Sequence, residues 1–170
     1  MTKTKGRGRG STHTVVRLEG WTRLAIGEVR KDGSVEIVGD SGFVGPNQVT
    51  DSGFSNFICN ALGSLSGSSY VAYMALGTGT VPASNATSLA GETAVRKTTS
   101  NSVVASHTLQ CTASWASGDN PGLCTLQNVG LFAVSTAGAG TLFAGNTYAT
   151  SQWSNNQGVS ATYQLRFATS

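Results

Sequence analysis

The chain has 170 residues, a formal net charge of +3 and a charged fraction of only 11%. This length suits a single domain with its own core, and the spread of aromatic and branched aliphatic residues argues against wholesale disorder. A collagen or a proline-rich linker is excluded, because the chain has 22 glycines but only 3 prolines.

The first fourteen residues are predicted to form an extended N-terminal arm. They contain no apolar residue beyond Met1, and Lys3, Lys5, Arg7 and Arg9 come without an intervening acid. Such a run suits docking on a partner protein with acidic patches. Contact with nucleic-acid phosphates is the alternative, although the arm has no aromatic residues for base stacking.

Residues 15–170 are predicted to form one β-sandwich domain that begins with a small sheet. Period-2 alternation of apolar residues predicts strands over 14–19, 22–30 and 34–39, with a turn at residues 31–34. One helix is predicted at about 52–65, with Asp51 or Ser52 as its N-cap. Its expected buried face has helical spacing and consists of Phe54, Phe57, Ile58, Ala61, Leu62 and Leu65.

Everything after residue 69 has the pattern of short strands separated by glycine-rich turns. Strands are expected over 70–76, 92–99, 101–116, 123–134, 142–149 and 159–168, with a polar loop at 151–158. This spacing predicts an all-β fold, an antiparallel sandwich or jelly roll with one short helix and the basic arm.

Charged side chains become sparse after residue 51. Residues 52–170 carry only Glu92, Arg96, Lys97, Asp119 and Arg166, whereas about 25% of residues are charged in a typical soluble domain. An uncharged Ser, Thr, Asn and Gly surface is typical of a subunit buried in an assembly, because a free monomer usually keeps more surface charge. An unusual monomeric domain is the alternative.

No catalytic or metal-binding constellation is evident, so we expect a non-enzymatic protein without cofactor or metal. His13 lies on the arm, and His107 is expected in mid-strand without a nearby acid. Glu92 is expected to form a structural ion pair with Arg96, and Asp119 to lie in a turn. The Gly77–Thr80 sequence lacks the lysine of a phosphate-binding loop and is predicted to be a turn.

Aromatic residues offer a different kind of site. Core packing is the default for aromatic residues at strand positions, but Trp153 lies in the predicted polar loop and is the candidate for a ligand face, as in a glycan- or receptor-binding tip.

The cysteines and the apolar runs indicate the cellular compartment in which the chain is expected. Three cysteines without metal spacing indicate a reduced cytosolic origin, although a bridge between Cys111 and Cys124 stays open. No secretory signal and no membrane-spanning run is apparent.

The order of several short segments resembles the small β-sandwich structural proteins of tailed bacteriophages, found as head decoration, head-fibre, collar or tail-fibre modules. The matching segments cover about 120 residues and are Asn47–Phe54, Tyr73–Thr80, Leu89–Glu92 with Arg96, Val129–Phe132 and the last strand to Phe167. Asn128 departs from the pattern, because the family usually has an acid there, so any ion pair made by that acid is absent.

The resemblance implies a virion component that is made in the host cytoplasm. We expect a capsid decoration or cement protein, or a tail or collar subunit. It is expected to form a homo-oligomer, trimer or higher, and to contact other virion proteins through its uncharged β surfaces and its arm. The alternatives are a coat protein whose arm contacts packaged nucleic acid and a glycan- or receptor-binding tip.

Overall fold

The computed structural model describes residues 16–63 and 69–169, and the predicted arm lies outside this part. Ten antiparallel strands and one short helical segment confirm the predicted all-β sandwich with a single helix. The strands are β1 (Val16–Val29), β2 (Val35–Asp40), β3 (Val44–Val49), β4 (Tyr73–Gly77), β5 (Lys97–Thr98), β6 (Ser100–Ala105), β7 (Thr108–Trp115), β8 (Cys124–Phe132), β9 (Leu142–Trp153) and β10 (Gln157–Thr169).

Two sheets face each other. Sheet A has the order β6-β7-β10-β1, with β2 beside the C-terminal half of β1, and sheet B has the order β5-β4-β8-β9. Strand β3 pairs with both β1 and β9, and β5 leads directly into β6. The two sheets are therefore joined at both edges by strands that pass from one to the other.

The core lies between the sheets because inward-facing side chains alternate with outward-facing ones along each strand. In sheet A the inner residues include Leu24, Ala113 and Tyr163, and in sheet B they include Met74 and Leu131; all five are buried. Each sheet also has an outer face that points away from this core. The two outer faces differ in whether another part of the chain covers them.

The outer face of sheet B is covered by the chain that joins β4 to β5. A second apolar cluster forms there from Ala75, Leu89, Phe132 and Leu142, all at most 4% exposed. Leu89 belongs to the covering segment and the other three to the sheet. Sheet A has no comparable cluster on its outer face within the described residues.

Strand β1 is longer than predicted. The expected strands 14–19 and 22–30 are one continuous strand that pairs with β10 from Val16 to Glu28. Strand β3 was not predicted, because it contains Gly45 and Pro46, which are poor strand formers.

The helical segment consists of a π-helical stretch, Gly53–Cys59, followed by an α-helical turn, Asn60–Leu62. Its predicted buried face is only partly correct. Phe57 is buried and its ring centroid lies 4.9 Å from that of Phe143, but Phe54 is 43% and Leu62 84% exposed. The i→i+5 hydrogen bonding of a π-helix changes the angular spacing of the side chains, so the i, i+3, i+4 pattern does not stay on one face.

The N-terminal cap of this segment is also different. Thr50 Oγ1 accepts a hydrogen bond from Gly53 N at 3.0 Å, whereas Ser52 makes no side-chain cap bond. Thr50 is therefore the capping side chain. Predicted Leu65 falls outside the described residues.

Three further predictions need correction. The strand expected over 92–99 is formed only at β5, Lys97–Thr98. The predicted strand over 101–116 is the hairpin of β6 and β7, so His107 lies in the turn between them, and its carbonyl accepts a hydrogen bond from Phe167 N at 2.9 Å. The predicted loop over 151–158 is the end of β9, a short turn and the start of β10.

Candidate assembly surface

The predicted docking arm with Lys3, Lys5, Arg7 and Arg9 lies outside the described residues. Its role therefore stays a prediction from the sequence. Within residues 16–63 and 69–169, no three His, Cys, Asp or Glu side chains converge as metal ligands, and no helix there has the length and apolarity to cross a bilayer.

Trp153 is not on a ligand face. It is 0% exposed at the end of β9, and its Nε1 donates a hydrogen bond to the Gln157 carbonyl oxygen at 2.7 Å. The indole thus packs into the core and ties the turn between β9 and β10. The sequence predicted a polar loop around Trp153, but β9 extends through residue 153.

The predicted ion pair between Glu92 and Arg96 is confirmed. Arg96 Nε donates to Glu92 Oε1 at 2.7 Å, and the side chains are 0% and 9% exposed. The guanidinium also lies 3.5 Å from the centroid of the Phe132 ring and donates to the carbonyl oxygens of Val134 and Ala139. The pair therefore anchors the exposed loop between β8 and β9.

A second ion pair joins β5 to the turn after β7. Lys97 Nζ lies 2.7 Å from Asp119 Oδ1, and Asp119 Oδ2 accepts a hydrogen bond from Ala116 N at 2.8 Å. The bond from Lys97 lowers the pKa of Asp119 below its ordinary value. Asp119 lies in a 3₁₀ turn, Ser117–Asp119, as the sequence predicted.

The fifth charged residue of this region, Arg166, lies over Trp21. Its guanidinium carbon is 4.6 Å from the Trp21 ring centroid, and its Nη2 donates to Gln164 Oε1 at 2.7 Å. All five charged side chains of residues 52–170 are thus engaged inside the chain, four in ion pairs and one on an aromatic ring.

The outer face of sheet A presents mostly short side chains in aligned rows. In one row Ala25 is paired with Ser160, which is paired with Ser114; in the next, Arg23 is paired with Thr162, which is paired with Thr112. Ser114 and Ser160 are exposed, and their hydroxyl oxygens lie 3.5 Å apart. The face is therefore hydroxyl-rich, uncharged in the first row, and charged in the second only at Arg23, which is paired with Asp40.

A shallow groove of about 520 Å³ crosses this face. We call it the small-residue groove, and its floor is formed by Ala25, Gly27, Ser114, Gly158 and Ser160. A Cβ at Gly27 would lie 2.5 Å from Val35 Cγ1, so a larger residue there would displace Val35. The groove ends at the Lys97–Asp119 ion pair.

One wall of the groove is the apolar side of the β1–β2 hairpin. We call this wall the hairpin row, and it consists of Val29, Val35 and Ile37, which are 48%, 61% and 58% exposed. The sequence placed these residues in alternating strands but did not reveal that they are exposed. Two ion pairs, Arg23 with Asp40 and Arg30 with Glu36, lie on the hairpin, and its exposed turn carries Lys31 and Asp32.

A second, apolar groove of about 400 Å³ lies at the opposite end of β1. The helical segment contributes Phe57 and Leu62 to it, and the sheet contributes Leu18 and Phe167. The sequence predicted the helix but not an open gap beneath it.

The three cysteines are free thiols, so the bridge that the sequence left open between Cys111 and Cys124 is not formed. Cys111 is buried, and burial raises the pKa of its thiol to about 12. Cys59 is exposed on the helical segment.

The comparisons with known proteins give no further guidance: no family model, no curated protein and no solved structure matches this chain.

Proposed function

We propose that this chain is a non-enzymatic structural subunit of a virion, either a capsid decoration or cement protein or a tail or collar component. It assembles through uncharged β surfaces and through its N-terminal arm. The observation that carries the proposal is the engagement of every charged side chain of residues 52–170 within the chain itself.

The physical reason is desolvation. Removing an unpaired charge from water costs several kcal/mol in real proteins. A surface whose few charges already have partners within the chain can be covered by a neighbour at a lower cost than one with unpaired charges. Exposed apolar side chains such as Val35 and Ile37 favour the same outcome, because covering them removes apolar surface from water.

The assignment to a virion is supported by the resemblance to small β-sandwich proteins of tailed bacteriophages. Two of the resembling segments have structural roles here. Gly77–Thr80 is the turn that follows β4, and Glu92 with Arg96 anchors a loop. The resemblance favours a virion subunit over other uncharged assemblies.

A second candidate function is contact with packaged nucleic acid through the arm. Lys3, Lys5, Arg7 and Arg9 fall within seven residues, and each phosphate contact releases about one counterion. Binding to a DNA duplex should then weaken steeply with salt and disappear when all four are changed to Ala. Salt-insensitive binding would exclude this function.

The virion proposal is tested by following the chain during particle purification. An antibody raised against the purified recombinant chain should detect it in virions banded on a density gradient, at a constant ratio to the major capsid protein. Immunogold labelling should mark one fixed location, head or tail. Detection only in the unassembled soluble fraction would contradict the proposal.

A further inference from the structure

We propose that the outer face of sheet A is a self-association surface, on which the hairpin row of one copy occupies the small-residue groove of a second copy. The inference deepens the proposed function, on which it rests, by naming one surface and its partner.

The shapes of the two features are complementary. The outward-facing side chains of the groove floor are no larger than serine, whereas Trp115 and Val159, which also line the groove, are buried in the core. The hairpin row stands beside the groove, with Val29, Val35 and Ile37 aligned on one face of the β1–β2 hairpin. Branched aliphatic side chains are of the size that fills a groove floored by Gly, Ala and Ser.

The charges favour a second copy over a charged partner. The floor offers no ion to a charged partner, and the ion pair at its end, Lys97 with Asp119, is already satisfied at 2.7 Å. A charged side chain seated there would lose its hydration without gaining a counter-ion. The hairpin row is an exposed apolar element of suitable size that this chain itself supplies beside the groove.

Symmetry lets both contacts form at once. The groove and the hairpin row lie side by side on one face, so a twofold axis lying in the plane of the contact, between the two and along the strands, places each hairpin over the other copy's groove. A contact of this type is isologous and closed. Larger assemblies with twofold axes can be built from the same contact.

The face is large enough for a stable interface. Strand β1 pairs with β10 from Val16 to Glu28, and β10 pairs with β7 from Val159 to Arg166. With about 3.3 Å per residue and about 4.8 Å between strands, the face including β2 and β6 covers roughly 500 Å² in projection. Because side chains protrude from the sheet, the accessible area of the face is larger than this projected area and approaches the ~800 Å² per partner of a standard interface.

The test introduces a charge on each side of the contact. Ser160→Arg places a cation on the groove floor, and Ile37→Glu places an anion in the hairpin row. Both sites are exposed, so circular dichroism should show unchanged folding. Thr125→Arg, at an exposed site on β8 of sheet B, is the matched control.

Light scattering at micromolar concentration should give a dimer, or a multiple of it, for the unchanged chain and for Thr125→Arg. Each interface variant alone should lose at least half of that mass. An equimolar mixture of Ser160→Arg with Ile37→Glu should recover it, because one contact of the mixed pair is unaltered and the other joins opposite charges.

Three results would overturn the inference: an unchanged chain that stays monomeric at high concentration, variants that keep the unchanged mass, or a mixture that does not recover. Binding of the groove to a different protein while the chain stays monomeric would also overturn it. None of these results bears on whether the chain is detected in virions, so the two proposals fail separately.

Discussion

Arg96 and Glu92 form an almost fully buried ion pair, with Arg96 Nε 2.7 Å from Glu92 Oε1. The pair also holds the loop between β8 and β9, because Arg96 Nη1 donates to the Ala139 carbonyl oxygen at 2.8 Å and Glu92 Oε2 accepts from Gly138 N at 3.3 Å. Two charges, four residues apart in sequence, thus organise a loop that is distant in sequence.

Replacing Arg96 should destabilise the fold strongly. Arg96→Met leaves the Glu92 carboxylate buried without a counter-ion, and we expect a loss of ~3–5 kcal/mol in the free energy of unfolding. Denaturant titration followed by tryptophan fluorescence measures this. Arg30→Met is the control, since Arg30 and Glu36 side chains are 56% and 53% exposed and their pair should contribute less than ~1 kcal/mol. Equal losses in the two variants would contradict the structural role of Arg96.

Stability should fall at acid pH partly through Asp40. Its hydrogen bond from Arg23 lowers the pKa of Asp40 to about 2, from an ordinary value of 3.8. A lowered folded-state pKa gives stability that is present above pH ~4 and is lost as the pH falls toward 2. Asp40→Asn should therefore lower the free energy of unfolding at pH 7 and flatten its acid dependence. A variant curve parallel to that of the unchanged chain would refute this contribution.

The three thiols should react at different rates. Cys59 is exposed, whereas Cys111 is buried with a pKa raised to about 12. Because the thiolate is the reactive form, Ellman's reagent should modify Cys59 first, Cys124 more slowly and Cys111 only on unfolding. Peptide mass spectrometry of the labelled chain assigns the sites. Labelling of Cys111 as fast as Cys59 in the native protein would show that the core is open there.

The arm should matter for assembly and not for folding. Residues 2–13 lack apolar side chains, so their deletion should leave the thermal unfolding midpoint unchanged while abolishing incorporation into particles. Differential scanning calorimetry measures the unfolding midpoint, and the composition of gradient-purified particles measures incorporation. Normal incorporation of the shortened chain into particles would contradict a docking role for Lys3, Lys5, Arg7 and Arg9.

Local patterns predicted the elements whose own sequence decides their structure. The alternation of Val159, Ala161 and Tyr163 predicted the last strand, and all three are buried in β10. The four-residue spacing of Glu92 and Arg96 likewise predicted their ion pair. In both cases the relevant neighbours lie within a few residues, so the signal is contained in the sequence segment itself.

Distant pairing explains what the sequence did not predict. Strand β3 contains Gly45 and Pro46 and is fixed by partners far along the chain, for example the bond from Asn47 Nδ2 to the Gly145 carbonyl oxygen at 2.8 Å. The candidate assembly surface has the same origin. Ser114 and Ser160 become neighbours only through the register of β7 with β10, which no local pattern specifies.

The most direct test of assembly through an uncharged surface is the mass of the purified chain in low and in high salt, measured by light scattering. An uncharged contact predicts a multiple of the chain mass that is the same in both conditions, because salt screens only charge–charge interactions. A monomer in both conditions would contradict the assembly, and an oligomer that dissociates in high salt would place the contact on charged groups instead.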